Sequence, residues 1–172
     1  MELLIPGLIL VALMAWASTR IKRNAAAAFD AETVETGEFA IAKPEGFLHV
    51  LNDDSGLAFR AYSKEFGKIG DLEVRQATIE IEVHKTDDLD TLSERIKKEA
   101  ESVESHDAYI DGGERAASVV SKRILEGGEY ENFSKLVTRG ERVWECRYSV
   151  LSEHLAGHLD RIEPTLDSLR VK

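Results

Sequence analysis

The sequence predicts an α+β domain, an antiparallel β-sheet covered by helices, behind one N-terminal transmembrane helix. Three observations predict it. An uncharged apolar run from Leu3 to Ala17 ends in a basic cluster. Period-two alternation of apolar and polar residues, cut by short turns, then dominates from Phe39 to Leu151. Two stripes of apolar residues at three- and four-residue spacing mark helices after Asp88 and after Ser152. With 172 residues there is room for one domain, and 43% hydrophobic content with 3 Pro and 12 Gly excludes a disordered or collagen-like chain.

The first element is the membrane segment, residues 3–19. At about 1.5 Å per residue these seventeen residues span roughly 25 Å, just short of a hydrocarbon core of about 30 Å. Leu3 and Leu4 open the run, Pro6 sits near its start, where a missing N–H costs little, and Gly7 offers a small surface for helix packing. Trp16 stands where an interfacial aromatic belongs, and the stems of Arg20, Lys22 and Arg23 reach outward to cover the shortfall. Ala15-Trp16-Ala17 mimics the cleavage site of a signal peptide. A secretory signal, however, carries its positive charge before the apolar run, whereas here Glu2 precedes it and Arg20, Lys22 and Arg23 follow. The reading is therefore an anchor with a short outside N-terminus and a cytoplasmic C-terminal domain. Residues 1–23 form the anchor with its basic flank. Asn24 and the alanines from Ala25 to Ala28 continue it as a helical stalk to about Glu32 or Thr33, which Thr36 and Gly37 break, so residues 24–37 form a linker.

The domain proper is expected from residue 38 to residue 172. Phe39 and Ile41 alternate up to the turn Lys43-Pro44-Glu45-Gly46, Phe47 to Leu51 forms a second apolar run, and Leu57, Phe59 and Ala61 mark a third strand after a turn at residues 52–56. The cleanest alternation runs from Val74 to His84: Ala77, Ile79, Ile81 and Val83 point one way and Thr78, Glu80, Glu82 and His84 the other, one face core and one wet. Asp87 and Asp88 can cap a helix whose stripe reads Leu89, Leu92, Ile96, Ala100 and Val103. Three strands follow, about Ala117 to Leu125, Tyr130 to Thr138 and Arg142 to Leu151, joined by Gly-containing turns into a meander. Ser152 can cap a last helix with the stripe Leu155, Leu159, Ile162, Leu166 and Leu169, in which Pro164 is a potential kink.

The segments EFAIAKPEGF and LAFRAYSKEFG, the long helix after Asp88, the strand meander and the closing EPTLDSLRVK resemble the PsbP-like superfamily over residues 38–172. The resemblance implies an α/β/α sandwich and a noncatalytic binding or assembly module on a larger complex. The N-terminal anchor is a departure from that family's usual delivery to the lumenal or outer side, and no functional residue is carried over.

Each potential site has a plainer structural explanation. His154 and His158 lie four apart, a metal-compatible spacing, but without a zinc-protease glutamate and beside Leu155 and Leu159 they read as helix-flank histidines. Glu80, Glu82 and His84 share a strand face and read as solvated, since hard cations draw oxygens from several segments. The 52–56 loop fails the spacing of a calcium loop, with Tyr62 where the closing glutamate belongs. Cys146 alternates with Trp144, Tyr148 and Val150 and reads as a core thiol. Asn132-Phe133-Ser134 matches a glycosylation acceptor without a setting for it. No catalytic, cofactor-binding or metal-ligating residue is assigned, and no cofactor is expected. The net charge is -10, and Arg20, Lys22 and Arg23 against Glu2 make the anchor positive, so the domain bears more negative charge still and offers nucleic acid no basic stripe.

The function expected is that of a noncatalytic, single-pass membrane-anchored accessory or assembly subunit of a larger membrane complex, photosynthetic and respiratory complexes included. Its partners would be that complex and the bilayer through residues 3–19. The second reading is a tethered sensor domain that holds a small ligand or cation between sheet and helix.

Overall fold

The computed structural model describes Met14, Trp16, Arg20 and residues 26–51, 53–85 and 88–172. Of the expected anchor and topology residues, Trp16 and Arg20 are helical, with the Arg20 guanidinium 5.2 Å from the Trp16 ring centroid. Leu3, Leu4, Pro6, Gly7, Lys22 and Arg23 lie outside the described residues. Among the described residues no helix is long and apolar enough to cross a membrane.

The chain begins its domain with β1 (Glu32–Glu35), β2 (Phe39–Lys43) and β3 (Phe47–His49), followed by β4 (Phe59–Ser63), β5 (Phe66–Ile69), β6 (Leu72–Arg75) and β7 (Ala77–His84). Helix α1 (Leu89–Glu99) leads into β8 (Ser102–Asp111), β9 (Glu114–Leu125), β10 (Gly128–Arg139) and β11 (Arg142–Leu151). A 3-10 turn over Ser152–Gly157, helix α2 (Leu159–Asp167) and the short β12 (Arg170–Val171) close it. The central antiparallel sheet has the order β3-β4-β7-β11-β10-β9-β8, a smaller sheet β1-β2-β12 lies beside it, and β5 and β6 form a separate hairpin.

Alternation decides what each face of the central sheet does. Ile79 and Ile81 of β7 and Trp144, Cys146 and Tyr148 of β11 pack with Phe39 and Ile41 of β2 and Ile162 of α2 into the main core. On the opposite face Leu89 and Leu92 of α1 meet Ala117, Leu136 and Val143 in a smaller cluster. Helices thus cover both faces, an α/β/α arrangement. Asp88 caps α1 as its position predicts, its carboxylate accepting from Thr91 N at 2.7 Å.

The structure corrects the sequence reading at four places. The stalk helix was expected to reach Glu32, but the chain turns at Phe29, and Glu32–Glu35 is a strand paired with β2: pairing of the β-branched Thr33 and Val34 overrides the alanine propensity. Helix α1 stops at Glu99 with Ala100 already extended, so Ala100 and Val103 do not continue its stripe, and Val103 belongs to β8. The meander therefore has four strands, β8 and β9 being joined at Gly112 and Gly113, both in the left-handed region at φ 59° and 92°. Finally, the last helix is two elements. Ser152 makes no capping bond, the 3-10 turn has fewer residues per turn than an α-helix and so advances further per residue, and the stripe is broken at the junction at His158. Leu159, at the start of α2, is 56% exposed, while Ile162 and Leu169 are buried.

Candidate functional site

The face of the sheet that carries α1 is polar over much of its area, because the charged residues of β7 and β11 stand side by side there. Register places Glu82 opposite Glu145 and Glu80 opposite Arg147. A chain of alternating charges results. Arg60 Nε of β4 donates to Glu80 at 3.1 Å, Arg147 Nη2 donates to the same carboxylate at 2.8 Å, and Arg147 Nη1 reaches Glu145 at 3.3 Å. Ser134 Oγ donates to Glu145 at 3.2 Å, and His84 Nε2 lies 3.1 Å from its other oxygen. Arg95 of α1 completes the line, with Nη2 3.2 Å from His84 Nδ1.

Glu145 is only 3% exposed. Burial pushes its pKa up, but the His84 hydrogen bond and the Arg147 charge outweigh burial and hold it below the usual carboxylate range. Burial lowers the pKa of Arg147 in turn, and Glu145 and Glu80 more than restore it. Beside this lattice a trough of about 220 Å³ runs between α1 and the sheet, with Glu82, His84 and Glu145 towards one end and Ser121, Arg123 and Asn132 towards the other.

Glu82, His84 and Glu145 offer ligand atoms within 4.8 Å of one another, the spacing of a metal cluster. Their hydrogen bonds point elsewhere. With Arg95 donating to Nδ1, His84 takes the tautomer protonated at Nε2, which donates to Glu145. Both ring nitrogens are thereby engaged, and a metal would have to compete with an arginine for the Nδ1 lone pair. The sequence named Glu80, Glu82 and His84 as a solvated face; in the structure Glu80 and His84 are instead tied into an ion-pair network. Glu145, Arg147, Arg60 and Arg95 were missed. The signal for the first two lay in β11, where charged residues alternate with Trp144, Cys146 and Tyr148 and so must face away from the core.

The other sequence candidates do not converge. His154 lies 3.1 Å from Glu153, whereas His158 is buried and shares a 2.8 Å hydrogen bond with Tyr148 Oη against the Phe47 ring. Burial, then Arg161, pushes the His158 pKa down. Cys146 is fully buried, its thiol pushed up to about 12, so it is no nucleophile at neutral pH. Asn132 is buried in β10, its Oδ1 accepting from Ser149 at 2.6 Å, which leaves it no access as a glycosylation acceptor. In the loop after β3, Asp53 Oδ1 accepts from Ser55 N at 2.9 Å, a local turn.

A second polar device sits where the chain enters the domain. The Lys43 side chain is buried, and its Nζ donates to Phe47 O at 2.7 Å, Asp30 O at 2.5 Å and Ala28 O at 3.4 Å. Gly46 N also donates to Phe29 O at 2.7 Å. Residues 28–30 are therefore bonded to the β2–β3 turn and do not form a loose tether.

No protein-family model and no curated protein sequence matches the chain. Its three-dimensional likenesses are clear. The solution structure of the cyanobacterial PsbP protein of Synechocystis superposes with a TM-score of 0.59 at 9% identity, over 84% of this chain and 94% of that one. The fold is PsbP-like. LpqN of Mycobacterium tuberculosis, a protein involved in cell envelope biogenesis, superposes with a TM-score of 0.61 at 12% identity, over 83% of this chain and 91% of that one. At these identities the PsbP-like fold is what is shared.

Proposed function

We propose that the protein is a noncatalytic, membrane-anchored accessory or assembly subunit of a larger membrane complex, its PsbP-like domain held on the cytoplasmic side by residues 3–19. The observation that carries this reading is the junction. An apolar segment with a following basic cluster leads into residues 28–30, and Lys43 and Gly46 bind that entry to a PsbP-like domain. A domain whose entry at residues 28–30 is bonded to its own turn adds no loose length of its own there, which suits a docking subunit more than a freely tumbling sensor. The charged groups on the α1 face are largely neutralised by one another, which supports a structural use of that face over a catalytic one.

The test is co-purification of the full chain from membranes dissolved in a mild detergent, with cross-linking in the native membrane to fix the neighbours. Migration of the chain alone under every detergent condition, with no cross-linked neighbour, overturns the reading. Orientation is tested separately: in right-side-out vesicles external protease should leave residues 38–172 intact, and digestion without detergent reverses it.

A further inference from the structure

The two edges of the central sheet differ. One is β3, three residues long with Phe47 buried; the other is β8, ten residues long and exposed along nearly its whole length. A long edge strand presents a row of unpaired backbone N–H and C=O groups, and proteins normally blunt such an edge with lysine, proline or a cover. β8 has no lysine, arginine or proline, and its one irregularity is a bulge between Val103 and Ser105. It also leaves Val103, Tyr109 and Ile110 exposed.

Charge says what could pair with it. Residues 99–114 contain six acidic side chains, Glu99, Glu101, Glu104, Asp107, Asp111 and Glu114, and neither lysine nor arginine. Arg123 lies 3.7 Å from Glu99, Lys122 3.5 Å from Glu104, Lys135 2.7 Å from Asp111 and Arg139 2.8 Å from Glu114, these cations coming from β9 and β10. Among the described residues Glu101 and the mid-strand Asp107, on opposite faces of the ladder, have no such cation and remain to meet an incoming strand. A second copy of the chain would bring the same acids against them, and like charges opposite one another across a strand pair are destabilising.

We infer that β8 is a docking edge that takes, by strand addition, an extended segment of a partner protein carrying lysine or arginine at alternate positions. The partner's backbone completes the ladder, its cations line the face that carries Asp107, and its intervening apolar side chains, on the other face, cover Val103 and Ile110. The inference rests on the accessory reading above and names the surface that reading requires.

The probe is a synthetic ten-residue peptide of alternating lysine and valine, added to the full chain in neutral detergent micelles. Its control is the matching peptide of glutamate and valine. Amide hydrogen exchange at residues 102–111 should slow tenfold or more with the lysine peptide, less as salt is raised, and not at all with the glutamate peptide. The double variant Asp107→Lys with Ile110→Lys should abolish the protection, and Asp107→Asn, which perturbs the strand less, should weaken it severalfold. Protection elsewhere, equal protection by the glutamate peptide, or undiminished protection in either variant overturns the proposal. So does concentration-dependent protection of β8 without peptide, which would make the occupant a second copy. Failure of the co-purification with success of the peptide sinks the accessory role and leaves the edge; the reverse sinks the edge and leaves the role.

Discussion

The two faces of β7 and β11 are built from the same strands and hold together in opposite ways. On one face Ile79, Ile81, Cys146 and Tyr148 interlock with β2 and α2, and stability comes from apolar area removed from water. One residue along, each strand turns Glu80, Glu82, Glu145 and Arg147 to the other face, where the charges sit in a lattice that includes a buried carboxylate. An apolar face tolerates shape change gradually, whereas a buried ion network fails when one member is lost. The comparison shows where this domain is plastic and where it is brittle.

The strongest way to break the comparison is to truncate adjacent residues on opposite faces. Glu145→Ala should cost about 3 to 5 kcal/mol, because it leaves Arg147 and His84 partly buried without their shared acceptor. Ile81→Ala, beside Cys146 in the core, should cost about 2 to 5 kcal/mol through transfer and cavity terms. Glu82→Ala, on the same face but half-exposed, should stay within about 0.5 kcal/mol. Urea unfolding of the three variants checks this, and an indifferent Glu145→Ala would mean that the lattice is decoration on an apolar domain.

Next in size is the entry clamp. Lys43→Met fills similar space but leaves carbonyls at Ala28, Asp30 and Phe47 without their donor, for an expected loss of about 1 to 3 kcal/mol. Burial lowers the Lys43 pKa, partly offset by Glu32 and Asp30, so the ammonium is held by geometry and not by a strong ion pair. A chain begun at Glu38 lacks β1 and two of these carbonyls and should be less stable than one begun at Ala26, as thermal unfolding of the pair would show.

A smaller effect comes from acid. His158 is held neutral by burial, with a folded pKa below its unfolded value near 6.5. The unfolded chain therefore takes up the proton first, and stability falls as pH drops from about 7 through that unfolded value, levelling off below the folded one. Glu145, with its depressed pKa, keeps its contribution down to the unfolded carboxylate value of about 4 and loses it as the pH falls from there through its folded value, so the two windows separate. His158→Gln should flatten the slope between pH 7 and 5, although His49, also lowered by burial, will leave a remnant. An unchanged slope assigns the acid sensitivity elsewhere.

How much was legible follows from which residues carried a one-sided pattern. β7 could be read directly because one of its faces is buried. β8 could not, since both of its faces are wet and nothing forces apolar residues to alternate; only the Gly112-Gly113 turn announced it. The contact of His84 with Glu145 was invisible for another reason. It depends on β11 lying next to β7, and 61 residues separate the pair. Local patterns state which face a side chain occupies, not which strand lies beside it.

The smallest predicted effect is the most direct test of that distinction. Leu155, Leu159, Ile162, Leu166 and Leu169 keep four-three-four-three spacing, so as one continuous α-helix they would share a face, and Leu159→Ala would then cost about 2 to 5 kcal/mol. The chain instead spends Ser152–Gly157 in a 3-10 turn, at about 120° per residue in place of 100°. Six residues at 20° each put the next element about a third of a turn out of phase. Leu159, the first residue of α2, is exposed, while Ile162 in the same helix and Leu169 just past its end are buried. Leu159→Ala should therefore change stability by less than about 0.5 kcal/mol, and Leu169→Ala, at 2% exposure, by about 2 to 5 kcal/mol. Equal large losses in urea would restore the unbroken helix; a silent Leu159 beside a costly Leu169 would place the phase shift at His158, the junction that seats its ring on Tyr148.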